Sequence, residues 1–180
     1  MSGQVTVRWW CVAWALILAF PVARPVTAQE FQPPRSGAEG GTRLGLFGFG
    51  VRTGVDFTAP RQLVLGLALD VGSLFTERMR LRPSGEVGID GDDSYVVSLE
   101  GLYRFTGDDE PTVPYVGVGF SVAGHDRCGL DADCPDLWAN IVIGFERRFR
   151  STFNWLIEYH GMDALRRHRL YVGLATRRGG

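Results

Sequence analysis

From Thr42 onward, hydrophobic and polar positions alternate with period two. Leu63, Leu65, Leu67, Leu69 and Val71 fall on one face. Tyr95, Val97, Leu99, Gly101, Tyr103 and Phe105 repeat the pattern, with Ser94, Ser98, Glu100 and Arg104 opposite. It recurs in Val116, Val118, Phe120 and Val122, then in Leu137, Ala139, Ile141, Ile143 and Phe145. Phe153, Trp155, Ile157 and Tyr159 follow, and Leu170, Val172 and Leu174 end the series. Such alternation specifies strands with two unlike faces. With 43–55 and 74–82 added, about eight strands are predicted, a number that can close a barrel. Glycines inside them, such as Gly48, Gly50, Gly117, Gly119 and Gly144, suit curvature and close packing beside rings. The expected fold class is all-β, an eight-stranded antiparallel up-and-down barrel.

Alternation alone does not say which face is wet, and three features decide for an apolar outside. The polar face carries Glu100, Arg104, Glu146, Arg148, Glu158 and Arg169, and the chain has no Lys. Arg and Glu form bidentate, mutually satisfied pairs when enclosed, and buried charges persist only when paired. These six are therefore expected to form an interior polar network. Phe145, Phe149, Phe153 and Trp155 flank a short turn at Arg150 and Ser151, as aromatics do at a lipid interface. The connections 83–93 and 124–136 are long and polar and 160–167 moderate, while 71–73 and 148–151 are short. Transmembrane barrels place long loops on one side and short turns on the other. The short 58–61 loop and medium 106–112 turn are exceptions. The barrel is thus expected to be transmembrane. The alternatives are a soluble exported barrel with a small apolar ligand in an apolar lumen, and an enzyme.

The amino-terminal segment reads differently. Residues 1–28 combine Arg8, an apolar stretch at 9–22 that is short for a membrane span, and small residues at Val26 and Ala28. This predicts a cleavable signal peptide with processing before Gln29. Residues 29–41 are Pro-, Gly- and charge-rich and are expected to be a flexible leader, with the barrel domain spanning 42–180. Net charge is −1, so no global field recruits nucleic acid. Cys11 leaves with the signal, while Cys128 and Cys134 lie close together in an exported segment and are expected to form a disulfide. The rival reading, a metal pair, lacks further ligands, since only His125 and several Asp are near.

The mature chain resembles the small bacterial outer-membrane β-barrels of the OmpX and OmpA-transmembrane-domain type. The resemblance covers 42–177 and rests on the signal segment, the loop lengths and strands such as Val113-Pro114-Tyr115-Val116-Gly117-Val118-Gly119-Phe120. It implies a Gram-negative outer-membrane location, with outer-membrane lipid, lipopolysaccharide and the barrel-assembly machinery as partners. The chain departs from that family after Thr176, where Arg, Arg, Gly and Gly stand in place of a terminal aromatic. Some barrels of this kind are lipid A acylases or deacylases that use His with Ser and a carboxylate. His160, with Glu158 and Asp163 near it, is the candidate here, but Met162 stands where a hydroxyl neighbour is needed. We read His160 as part of the interior network, and expect no catalytic residue and no cofactor. The acidic residues Asp90, Asp92 and Asp93 miss the spacing of a calcium loop. Arg166, Arg167, His168 and Arg169 suit contacts with lipid phosphate, or equally a stretch that is half loop and half interior ladder. A structural or surface-interaction role without an open pore is expected, because eight strands enclose room only for side chains. The external ligand is not legible.

Overall fold

The computed structural model describes residues 41–58, 61–89, 94–125, 128 and 134–177. The signal peptide, nearly all of the leader and the acidic residues of 90–93 lie outside the described residues. Eight antiparallel strands run β1 (Arg43–Asp56), β2 (Gln62–Ser73), β3 (Met79–Ile89), β4 (Ser94–Arg104), β5 (Thr112–His125), β6 (Asp136–Arg148), β7 (Phe153–Met162) and β8 (Arg167–Thr176). Each pairs with its chain neighbour, and β1 pairs with β8 to close the barrel. The expected fold class, an eight-stranded antiparallel up-and-down β-barrel, is what forms.

The stagger follows from the register. From Arg52, pairing in one direction leads through Gly66, Glu86, Val96, Ala123 and Asp136. In the other it leads through Gly173 to Leu156. Extending the Asn140–Met162 register, the two paths reach β7 at positions 166 and 156, ten residues apart. Such a shear tilts the strands by about 35–45° and keeps the lumen narrow enough for side chains to fill.

Two corrections to the sequence reading concern β3. The strand spans Met79–Ile89, not 74–82, so the connection expected at 83–93 shrinks to 90–93. Pro83 obscured the strand, because proline cannot donate to a ladder. The fold accommodates it with a bulge: β2 shifts register between Ala68 and Gly72, opposite Pro83. Gly72 has a φ of 131°, and a Cβ there would meet the carbonyl oxygen of Arg43, so this bend requires glycine. With β3 extended, the connections do not alternate cleanly in length. Residues 105–111 form a longer turn than 90–93 or 163–166 at the opposite end, and only 126–135 stands out.

The faces are as unlike as the alternation predicts. Leu65, Val97, Val118, Ile143 and Val172 point outward and are exposed, whereas Arg52, Glu86, Glu100, Glu158 and Arg169 are buried inside. This inversion of a soluble barrel rules out the apolar lumen that the soluble alternative needs. Aromatics gather at the end where β1 begins and β8 ends: Phe49, Phe75, Phe105, Phe149 and Trp155 are all exposed there. Phe149 and Trp155 pack at 5.2 Å, beside the predicted interface residues Phe145 and Phe153, which are also exposed.

Candidate functional site: the charged lumen

The lumen is built from inward positions of all eight strands. At its centre Glu158 of β7 accepts hydrogen bonds from Arg52 Nη1 at 2.6 Å and from Arg82 Nη1. Tyr115 Oη donates to the same carboxylate at 2.5 Å. Glu86 accepts from Arg52 Nη2 at 2.5 Å, Arg169 Nη1 at 2.8 Å and Tyr171 Oη at 2.6 Å. Glu100 accepts from Arg82 Nε at 2.8 Å and Asn140 Nδ2 at 3.1 Å. Arg169 Nε donates to Asp56 at 2.9 Å, which Arg167 approaches to 3.8 Å from the rim. Four carboxylates thus meet four guanidinium groups, and the layer is neutral by pairing. Each member bridges strands distant in sequence, so the network fixes register around the barrel as well as satisfying charge.

Small residues make this packing possible. A side chain at Gly54 would strike the Tyr171 ring, and one at Gly144 would strike the Tyr115 ring. The Arg52 guanidinium lies 4.8 Å above the Tyr171 ring, a cation–π contact inside the layer.

A second cluster closes the end where β1 begins and β8 ends. Asp108, from the 105–111 turn, reaches back to bridge Arg80 and Arg104, the latter at 2.8 Å. Arg104 also meets Glu146 at 3.2 Å, and Asn154 Nδ2 donates to Glu146 at 2.9 Å. Here the carboxylates of Asp108 and Glu146 are partly wet, while Arg80 and Arg104 stay buried. A cavity of about 60 Å³ lies among Asp70, Arg80, Arg104, Asp108 and Glu146, with Leu102, Tyr115 and Leu156 as its apolar floor. That volume suits a few waters.

Of the sequence-predicted interior residues, Glu100, Glu158 and Arg169 lie in the central layer and Arg104 and Glu146 in the terminal cluster. Arg148 is a correction. It has interior parity, but as the last residue of β6 it is exposed at the rim and donates to the Asp109 carbonyl oxygen. Sequence reasoning missed Arg52, Asp56, Arg82, Glu86, Tyr115 and Tyr171. Their signal was parity: Arg80, Arg82, Ser84 and Glu86 alternate cleanly once Pro83 is allowed within a strand.

His160 is enclosed, 1 % exposed. Its Nε2 lies 3.2 Å from Glu158 Oε2 and 3.3 Å from Arg52 Nη1, and its Nδ1 lies 3.6 Å from Glu100 Oε1. Its ring packs edge-on against Tyr171 at 4.8 Å. None of these neighbours is a Ser or Thr hydroxyl that an imidazole could activate. On the outer face, by contrast, Tyr159 Oη and His168 Nδ1 lie 2.6 Å apart at the loop rim.

Cys128 and Cys134 are joined as a disulfide, with Cα atoms 5.1 Å apart.

No protein-family model matches the chain, and no curated protein matches it in sequence. Solved structures do share its fold. The N-terminal β-barrel domain of Pseudomonas aeruginosa OprF superposes with a TM-score of 0.56 at 17 % identity, covering 73 % of this chain and 98 % of that one. Neisserial surface protein A gives a TM-score of 0.53 at 10 % identity, covering 74 % and 95 %. A de novo designed transmembrane β-barrel gives 0.51 at 13 % identity, covering 74 % and 97 %. At these identities the likeness is one of fold.

Proposed function

We propose that this protein is an outer-membrane barrel with a structural or surface-interaction role, its lumen sealed by paired charges. The observation that carries the reading is the inversion of the two faces: an exposed apolar belt with an aromatic girdle surrounds a buried, neutralised lattice of Arg and Glu. An apolar belt of that extent is stable only in lipid. In this reading residues 1–28 are a signal peptide removed on export, and the barrel-assembly machinery inserts the chain. The aromatic-rich end, where β1 begins and β8 ends, faces the periplasm. The opposite end, with 57–61, 90–93, 126–135 and 163–166, meets lipopolysaccharide and partners outside the cell. The filled central layer supports a barrel without an open pore. The enclosure of His160 among two carboxylates and an arginine supports the non-enzymatic reading over lipid A modification at that residue.

Fractionation of expressing cells tests the proposal. The barrel is expected in the outer-membrane fraction, with an unboiled form that migrates faster on a gel than the boiled one, and it should give no conductance in planar bilayers. Recovery in the soluble fraction overturns the location, and steady single-channel currents overturn the sealed lumen.

A further inference from the structure

At the barrel end where β1 begins and β8 ends, the carboxylate closest to the buried arginines comes from a turn and not from a strand. Asp108 divides its two oxygens between two cations. Oδ1 meets Arg104 Nη1 at 2.8 Å, and Oδ2 accepts a hydrogen bond from Arg80 Nη2. The carboxylates that strands supply to the same arginines stand farther off, Asp70 at 3.4 Å from Arg80 and Glu146 at 3.2 Å from Arg104. Each also serves another donor, Gly72 N for Asp70 and Asn154 Nδ2 for Glu146.

The stretch that carries Asp108 is tied to the barrel only at its flanks and by side chains. Phe105 N donates to Pro114 O at 3.0 Å and Arg148 N to Pro111 O at 2.8 Å, where the turn begins and ends. At the tip, Glu110 N reaches Gly107 O at 3.3 Å and Arg148 Nη2 donates to the Asp109 carbonyl oxygen. Gly107 and Asp109, on either side of Asp108, are exposed. Asp108 can therefore withdraw without breaking a strand ladder.

Charge and geometry define what replaces it. Arg82 is neutralised deeper in the lumen by Glu100 and Glu158. The other charges lining the cavity are Arg80, Arg104 and Arg177 against Asp70, Asp108 and Glu146. Withdrawal of Asp108 leaves three guanidinium groups facing two carboxylates, and an uncompensated enclosed charge is costly. The Nε–H groups of all three arginines are buried and make no hydrogen bond to the protein. Asp108 has no oxygen left for them, whereas a tetrahedral oxyanion carries more acceptors and matches the Nε–Nη edge of a guanidinium. The cavity of about 60 Å³, enlarged by the space the carboxylate leaves, admits a compact ion and excludes a large ligand.

We propose that this mouth is a binding site for a small tetrahedral oxyanion of the phosphate class, formed by Arg80, Arg104 and Arg177, and that Asp108 occupies it as a tethered competitor. Ion binding and release of the 105–111 turn are then one equilibrium. The apparent affinity is lowered by the share of barrels in which Asp108 is seated. The site does not depend on which compartment this end faces.

The test uses the full barrel folded in detergent and titrated with inorganic phosphate, with acetate and chloride at matched ionic strength as controls. Calorimetry is expected to show saturable phosphate binding at one ion per chain and none for the controls. Amide exchange in 105–111 should quicken as phosphate is added, with the strands unchanged. Asp108→Ala, shown to be folded by gel heat-modifiability, should bind phosphate at least about tenfold more tightly than the wild type. Asp109→Asn, which removes a neighbouring charge that bridges neither arginine, should leave the affinity unchanged. Absence of saturable phosphate binding in both wild type and Asp108→Ala overturns the proposal. So does an equal response to acetate or chloride, or phosphate binding that leaves exchange in the turn unaltered.

Discussion

Glu158 and Asp108 each hold two guanidinium groups, yet their surroundings differ. Glu158 bridges Arg52 and Arg82 with its side chain fully enclosed, and Tyr115 and His160 complete its shell. Asp108 bridges Arg80 and Arg104 from a turn, with 29 % of its side chain exposed beside the cavity at the barrel mouth. Equal numbers of partners do not mean equal energies. In the enclosed layer, removing one charge strands others where water cannot reach them. At the mouth Arg80 and Arg104 are buried too, but they border the cavity and each keeps a second carboxylate, Asp70 or Glu146, so a lost partner is replaced in part.

The largest expected effect tests the enclosed half of that comparison. Glu158→Ala leaves Arg52 and Arg82 without their shared carboxylate and should cost about 3–5 kcal/mol in urea unfolding from lipid vesicles. Glu158→Gln, which keeps the shape and one acceptor, should fall between it and wild type. A cost for the alanine variant near that of Asp108→Asn would break the comparison. The next effect adds the third environment, the lipid belt. Val118 lies midway along β5, pointing outward. Val118→Arg should destabilise the inserted barrel by about 2–4 kcal/mol, whereas Val118→Leu should be close to neutral. A neutral arginine at this position would mean that the face is wet. The smallest effect is at the mouth. Asp108→Asn should cost less than about 1 kcal/mol, and the loss should shrink as ionic strength rises.

The central layer was only partly legible beforehand, and the reason is local. Glu100, Glu158 and Arg169 announced themselves because regular alternation surrounds them. Arg82 and Glu86 did not, because Pro83, Ser84 and Gly85 imitate a loop, and only the bulge in β2 lets a strand pass through them. Arg148 shows the opposite failure. Parity alone gave it an interior place, but the strand ends there, and a long side chain at a rim turns to the nearest carbonyl, that of Asp109.

The sequence by itself determined the strand count, the two faces and the kind of side chain on each, because these follow from a period of two and from the cost of burying unpaired charge. Which arginine meets which carboxylate was settled only by closure. The stagger of ten residues brings Arg52 to Glu158 across 106 positions and Arg169 to Glu86 across 83. It also sets the Tyr115 and Tyr171 rings against Gly144 and Gly54. Shear is a property of the closed ring of eight pairings, and no single strand carries it.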